Sequence, residues 1–144
     1  MEIDRNGLEV LERGECLRLL ASASLGRLGV TTGALPTVLP VNFRLVRDQI
    51  VFRTGSGTKL DAATDNAVVA FEVDDMDPVW HTGWSVVVTG VAREVTDPDE
   101  LAAIELTSIP HWAPDHASRL VAVSTEIVTG RRVLNGAQRP ATAG

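Results

Sequence analysis

Cysteine, positive charge and long apolar runs are all scarce in this sequence. The single cysteine among its 144 residues, Cys16, excludes an internal disulfide and a cysteine-rich metal site. A net charge of −6 argues against binding to nucleic acid or to an anionic membrane surface. No apolar run approaches the ~18 residues that a membrane span requires, and the acidic start does not resemble a signal peptide. We therefore expect a single-domain cytoplasmic protein.

Apolar residues alternate with polar ones over much of the chain, which is typical of antiparallel strands. Helical spacing predicts one short helix over residues 13–23, and two more are predicted within 57–66 and 96–106. Gly90 inside the longest strand predicts a bend, and the acidic residues from Asp74 to Asp77 predict a solvated turn.

Strands and helices do not alternate regularly, so a parallel sheet is not expected. About six or seven antiparallel strands predict a mainly β fold, a small barrel with helices packed outside. The domain should span residues 1–134. Residues 135–144 have little to bury and are expected to form a disordered tail.

The stretch FRTGSGTK, residues 52–59, combines hydroxyl groups, glycines and two cations where a strand passes into a helix. A phosphate group needs converging N–H and hydroxyl donors with a cation, which Arg53, Thr54, Thr58 and Lys59 could supply. The known nucleotide signatures do not match, because neither G-x-x-x-x-G-K-[ST] nor G-x-G-x-x-G is present. The local pattern thus leaves two interpretations open, a phosphate site and an ordinary strand-to-helix turn.

Five motifs in a fixed order identify a family. They are LPTVLPVNF, VFRTGSGTKL, VVAFEVDDMDP, GWSVVVTGVAREV and VTGRR. With them the chain resembles, over roughly residues 8–134, the flavin-binding split barrels related to pyridoxamine 5′-phosphate oxidase, in particular short members of an actinobacterial type. The resemblance implies a split barrel that binds FMN, and a homodimer with the cofactor sites at the subunit interface.

The resemblance also implies which residues bind the cofactor. Arg53, Thr54, Thr58 and Lys59 would hold the FMN phosphate and ribityl chain. Trp84 and Ser85 would reach the flavin from the long strand, typically across the dimer interface. The edge of the isoalloxazine ring would lie along one strand, formed by Val38, Leu39, Pro40, Val41, Asn42 and Phe43.

The chain departs from the oxidase in the region that grips the substrate. Where the oxidase has Arg-x-His, this sequence has Arg131 and Arg132 with no histidine after them. Efficient oxidation of vitamin B6 is therefore not expected, and the deazaflavin F420, which related split barrels bind, is an alternative cofactor. Arg131, Arg132, His111 and Trp112 are candidates for lining a substrate pocket. The three histidines lack metal-ligand spacing, so we expect no metal site.

No catalytic side chain can be assigned, which is compatible with a flavoenzyme because the cofactor carries the chemistry. The leading hypothesis is an FMN-dependent oxidoreductase acting on a small-molecule substrate or electron donor. The alternatives are an F420-dependent reductase and a non-catalytic flavin- or haem-binding carrier, sensor or stress protein. A homodimeric domain with an empty pocket that binds a partner is a further alternative, against which the intact Thr54, Thr58 and Lys59 argue.

Overall fold

Antiparallel strands account for most of the computed structural model, which describes residues 1–109 and 118–134. The helices of this part of the chain are α1 (Arg13–Ser22), α2 (Lys59–Ala63) and α3 (Pro98–Glu105). Its strands are β1 (Glu2–Ile3), β2 (Glu9–Val10), β3 (Leu25–Thr32), β4 (Leu35–Asn42), β5 (Arg44–Val46), β6 (Gln49–Gly55), β7 (Val68–Asp77), β8 (Thr82–Glu94), β9 (Ser118–Ser124) and β10 (Ile127–Val133).

The longest strand, β8, connects two parts of the sheet. One part has the strand order β1-β2-β10-β8-β7-β3-β4, and the other consists of β5, β6 and β9. Residues 82–91 of β8 pair with β7, whereas residues 92–94 pair with β9. Gly90 lies just before this change of partner, and a Cβ there would lie 3.1 Å from the carbonyl oxygen of Ser124. The predicted mainly β split barrel is thus confirmed.

Two phenylalanines lie at the centre of the main core. Phe43 and Phe71 are fully buried, and their rings meet edge to face with centroids 4.7 Å apart. Gly26 of β3 leaves room for this pair, since a Cβ there would lie 2.2 Å from Cζ of Phe71. Helix α1 contributes Leu20 and Cys16 to the same core. The lone cysteine therefore acts as a small apolar side chain.

A second apolar cluster lies beneath α3. This helix begins with Asp97 as its cap, whose carboxylate accepts the N–H of Glu100 at 3.1 Å. Ile104 and Ile109 then pack against Val51 of β6. The packing separates the α3 side of β6 from the barrel interior.

The structure differs from the sequence prediction in two respects. The described residues form ten strands rather than six or seven, partly because the two-residue strands β1 and β2 extend the sheet beyond β10. The predicted acidic turn is wrong, since β7 continues to Asp77 and Asp74 pairs with Ser85. Backbone pairing with β8 holds these acidic residues extended, and the turn follows Asp77. The predicted tail lies outside the described residues.

Candidate functional site

One buried carboxylate, that of Asp61, organises the loop between β6 and α2. Its Oδ1 accepts a hydrogen bond from the Thr54 hydroxyl at 3.0 Å, and its Oδ2 accepts one from the Gly57 N–H at 2.9 Å. Thr58 caps α2, because its Oγ1 accepts the Asp61 N–H at 3.1 Å and donates to the Gly55 carbonyl at 2.7 Å. The two threonine hydroxyls that were predicted to bind phosphate therefore already donate within the chain.

Arg119 of β9 completes this network from the neighbouring strand. Its Nη1 lies 3.0 Å from Oδ1 of Asp61, and its Nη2 lies 2.6 Å from Oε2 of Glu94. Burial acts to raise the pKa of Asp61, but hydrogen bonds from Gly57 and Thr54 and the Arg119 guanidinium outweigh it and hold that pKa below its ordinary value. A negative charge is therefore built into the loop at neutral pH.

Arg53 points away from this network. Residues alternate between the two faces of a strand, so Arg53 and Thr54 of β6 face opposite sides. Arg53 donates from Nε to the Ile109 carbonyl and from Nη1 to the Ser118 hydroxyl, both at 3.3 Å. The Arg53 guanidinium lies on the α3 side and is not brought together with the Thr54 hydroxyl.

Lys59 takes a third direction. It is the only lysine of the sequence and is exposed, with no ion pair to any of the described residues. With Thr31, Thr32 and Gly33 it borders a cavity of about 190 Å³ beside the turn between β3 and β4. The cation is thus available to a ligand that approaches the beginning of β4.

The strand predicted to line the flavin ring, β4, lies at the end of its sheet. It pairs with β3 and with no other described strand, so one of its edges carries backbone N–H and C=O groups without a strand partner. Pro40 is compatible with this position, because proline is found on edge strands. Of the six predicted residues, Val38 and Pro40 are exposed, Leu39 and Asn42 are partly buried, and Val41 and Phe43 belong to the core.

Ser85 lies on the same sheet as β4 but far from it within one chain. Strands β7 and β3 intervene between β8 and β4. Three strand spacings of about 4.8 Å place Ser85 roughly 14 Å from the β4 edge. Trp84, its neighbour, faces the other side of β8 and packs against the main core. Within one chain, therefore, the predicted residues of β8 and β4 do not converge.

The two arginines of β10 are held by acidic residues from the beginning of the chain. Nε of Arg131 lies 2.9 Å from Oδ2 of Asp4. The Arg132 guanidinium contacts Glu9 at 3.2 Å and Glu15 at 2.8 Å. The side-chain hydrogen bonds from Arg18 and Arg132 lower the pKa of Glu15 to about 2. Arg131 and Arg132, which were predicted to line a substrate pocket, thus already form ion pairs with carboxylates of the same chain.

One side of the larger sheet, which we call the outer face, carries much exposed aliphatic surface. The strand registers place these side chains on the same side as Ser85. Exposed aliphatic patches of this kind commonly mark interaction surfaces. The exposed aliphatic residues of the outer face are Leu25, Val38, Val68, Val87, Val91 and Ile127.

A titratable group lies in the middle of the outer face. Burial and the neighbouring Asp74 carboxyl raise the pKa of Glu72 to about 7, although the Arg27 guanidinium opposes the rise. Nη1 of Arg27 lies 3.7 Å from Oε1 of Glu72 and 3.2 Å from Oδ2 of Asp74. Glu72 therefore titrates near neutral pH, unlike an ordinary surface glutamate.

His111 and Trp112, the remaining substrate-pocket candidates, lie outside the described residues. Among the residues that the structure does describe, no group of three or more His, Cys, Asp or Glu side chains could hold a metal ion. None of the described helices is long and apolar enough to cross a membrane.

Sequence reasoning missed Asp61, and a local signal for it exists. Thr58 and Asp61 form a T-x-x-D pattern, the arrangement in which a helix cap and the third helical residue interact. That pattern predicts a carboxylate turned back toward the loop, where it competes for the donors that a phosphate would use. Arg119 and Glu94 have no such local signal, because Arg119 is brought to Asp61, and Glu94 to Arg119, only by the pairing of β9 with β6 and β8.

Comparison with known proteins assigns the chain to a family. The model of the family described as pyridoxamine 5′-phosphate oxidase matches residues 12–132. The chain belongs to the pyridoxamine 5′-phosphate oxidase family. The uncharacterized protein Rv0080 of Mycobacterium tuberculosis is 42% identical over 135 residues, which cover 90% of this chain and 88% of that protein.

Solved structures of relatives show the same fold. A FAD binding protein from Mycobacterium smegmatis is 38% identical and superposes with a TM-score of 0.78, covering 88% of this chain and 100% of that one. A conserved protein of unknown function from Corynebacterium diphtheriae is 33% identical with a TM-score of 0.73, covering 88% of this chain and 98% of that one. The predicted family is therefore confirmed at the level of sequence and of fold.

Proposed function

We propose that this protein binds a flavin nucleotide, FMN or FAD, at the interface of a homodimer and acts as a flavin-dependent oxidoreductase. The observation that carries the proposal is the position of Lys59 beside the turn that leads into the open edge of β4. The open edge offers backbone donors and acceptors to a flat ring, and Lys59 offers a cation to a phosphate at its beginning. The name of the Mycobacterium smegmatis relative makes FAD a candidate equal to the FMN expected from sequence.

The described residues fit a flavin in different ways at its two ends. Val38 and Pro40 leave the β4 edge exposed for the ring. At the phosphate end, the Lys59 ammonium is available, whereas the Thr54 hydroxyl and the Gly57 N–H already donate hydrogen bonds to Asp61. A bound flavin would supply hydride or electron transfer, and the chain would hold and orient it.

The position of Ser85 supports the proposed homodimer. The family resemblance places this residue at the flavin, yet within one chain it lies roughly 14 Å from the β4 edge. A second copy on the outer face would bring its own Ser85 toward the first chain's β4. The same contact would cover exposed aliphatic side chains such as Val87 and Ile127, which favours association.

Titration of the apo-protein with FAD, FMN, F420 and riboflavin tests the proposal. Flavin fluorescence reports binding, and light scattering measures the mass of each complex. We expect saturable binding of a flavin nucleotide by a species with twice the 15.4 kDa of one chain. A complex that contains one chain would contradict the shared site. If the protein binds F420 and none of the flavins, the cofactor is a deazaflavin and the flavin proposal is wrong. If it binds none of the four ligands, the proposal fails as a whole.

A further inference from the structure

The cavity beside the turn between β3 and β4 has the composition of an anion site. It holds about 190 Å³, and its lining residues are Thr31, Thr32, Gly33, Lys59, Ala62 and Ala63. These residues bring one cation, two hydroxyl groups and no carboxylate. An anion bound here would meet hydrogen-bond donors and a positive charge, which is the environment that a phosphate group needs.

The threonine side chain on the α2 side of β3 is that of Thr32. Residues alternate between the faces of a strand, so Thr32 lies on the same face as Val30, which belongs to the main core together with Ala63 of α2. Thr31 lies on the opposite face, the outer face of the sheet. Of the two threonines, therefore, Thr32 faces the helix that carries Lys59.

The donors at this cavity are free. The Thr32 hydroxyl forms no hydrogen bond with any other described residue, and the Gly33 N–H donates to no described acceptor. The threonine hydroxyls of the loop between β6 and α2, by contrast, already donate within the chain. A phosphate can therefore gain hydrogen bonds in the cavity without breaking existing ones.

Little negative charge accompanies these donors. The sequence between Arg27 and Arg44, which includes most of β3, the turn and all of β4, has no charged residue. On α2, the Asp61 carboxylate is 8% exposed and its hydrogen bonds hold it toward the loop. Lys59 is thus the one charged side chain among the described residues that line the cavity.

The cavity also lies at a suitable distance from the strand proposed for the flavin ring. Strand β4 begins at Leu35, directly after the turn, and the exposed Val38 follows three residues later. A rise of about 3.4 Å per residue places these two positions roughly 10 Å apart. An extended ribityl chain with its phosphate spans a distance of this order. One ligand can therefore place its ring on β4 and its phosphate in the cavity.

Building on the proposed function, we infer that this cavity is the phosphate subsite of the flavin nucleotide, in which Thr32 and the Gly33 N–H donate to the phosphate beside Lys59. The phosphate is the one next to the ribityl chain, in FMN or in FAD. The assignment takes the place of Thr54 and Thr58 in the sequence prediction. Their hydroxyls instead hold the loop that presents Lys59.

The test measures the dissociation constants of FMN, FAD and riboflavin for wild type, Thr32→Val and a matched control, Thr31→Val. Valine keeps the branched shape and the strand preference of threonine and lacks the hydroxyl. Thr32→Val should weaken FMN and FAD about tenfold or more, as expected for a lost hydrogen bond to a charged group, and leave riboflavin unchanged. Thr31→Val removes the same group from the opposite face of β3 and should change none of the three constants.

Nuclear magnetic resonance of the wild-type protein provides a test without a variant. Amide spectra of the FMN complex and of the riboflavin complex differ only through the phosphate. The Gly33 amide should shift between the two complexes and should follow the titration of the FMN phosphate, whose second pKa is about 6. The Gly57 amide, which is bonded to Asp61, should be the same in both.

Each outcome decides the inference. Equal affinities of wild type for FMN and riboflavin would overturn it and leave flavin binding intact. So would a ratio of these affinities that Thr32→Val leaves unchanged or that Thr31→Val lowers equally. A shift of Gly57 in place of Gly33 would assign the phosphate to the loop. If Thr32→Val does not fold, as circular dichroism would show, the amide spectra decide alone. If wild type binds no flavin, the proposed function and this inference fail together.

Discussion

Replacing Lys59 by alanine separates a ligand-binding lysine from an ordinary surface one. Lys59 is exposed and has no ion pair among the described residues, so its removal should change the free energy of unfolding by less than about 0.5 kcal/mol. A charge-assisted contact to a phosphate is worth about 1.5–3 kcal/mol, which corresponds to roughly tenfold to over a hundredfold in Kd. Lys59→Ala should therefore weaken FMN and FAD by that factor.

Riboflavin provides the internal control, because it has the same ring and no phosphate. Its affinity should be the same in Lys59→Ala and in wild type. Arg5→Ala is a matched variant that removes one exposed positive charge from the connection between β1 and β2. Fluorescence titrations of both apo-variants with the three ligands, and a urea unfolding curve for each, complete the assay. Equal losses for riboflavin and FMN would refute the assignment of Lys59 to the phosphate.

Gly26→Ala should reduce the free energy of unfolding by about 1–3 kcal/mol, because the added Cβ would overlap the Phe71 ring. Gly29→Ala is the control, since the atom nearest to its added Cβ lies 3.6 Å away. Urea unfolding curves that do not differ between the two variants would contradict the prediction. The pKa of Glu72 is about 7 in the folded protein, above its value in the unfolded chain. Protonated Glu72 therefore favours the folded state at low pH, and this contribution to the free energy of unfolding is lost as the pH rises through 7. Glu72→Gln should therefore raise Tm at pH 8 relative to wild type and have less effect at pH 5. Pyridoxamine 5′-phosphate should be a poor substrate because Arg132 is paired with Glu9 and Glu15, and a kcat/KM within roughly tenfold of a genuine oxidase would refute this.

Local sequence patterns were sufficient to predict a mainly β fold with three helices, whereas the split barrel was implied by the family resemblance. Alternation of apolar residues predicted the long strands, and helical spacing around Cys16 and Leu20 predicted α1 to within one residue of its observed end. These features depend on residues a few positions apart, so they are visible in one sequence. The short strands β1 and β2 have two residues each and carry no periodicity, and only their pairing next to β10 defines them.

The electrostatics of the site could not be predicted in the same way. Arg119 and Asp61 are 58 positions apart, and Arg131 and Asp4 are 127 apart. Their pairing depends on strand order and register, which the sequence does not specify directly. The pattern FRTGSGTK therefore suggested one convergent set of donors, whereas the fold directs Arg53, Thr54 and Lys59 to three different places.

Identification of the ligand that the purified protein carries tests the central claim most directly. The protein is purified without added cofactor, its absorbance spectrum is recorded, and the ligand released by denaturation is identified by mass analysis. We predict flavin absorption bands and the mass of FAD or FMN, in about equal molar amount to the chain. A protein that carries no flavin and binds none when FAD, FMN or riboflavin is added would contradict the account.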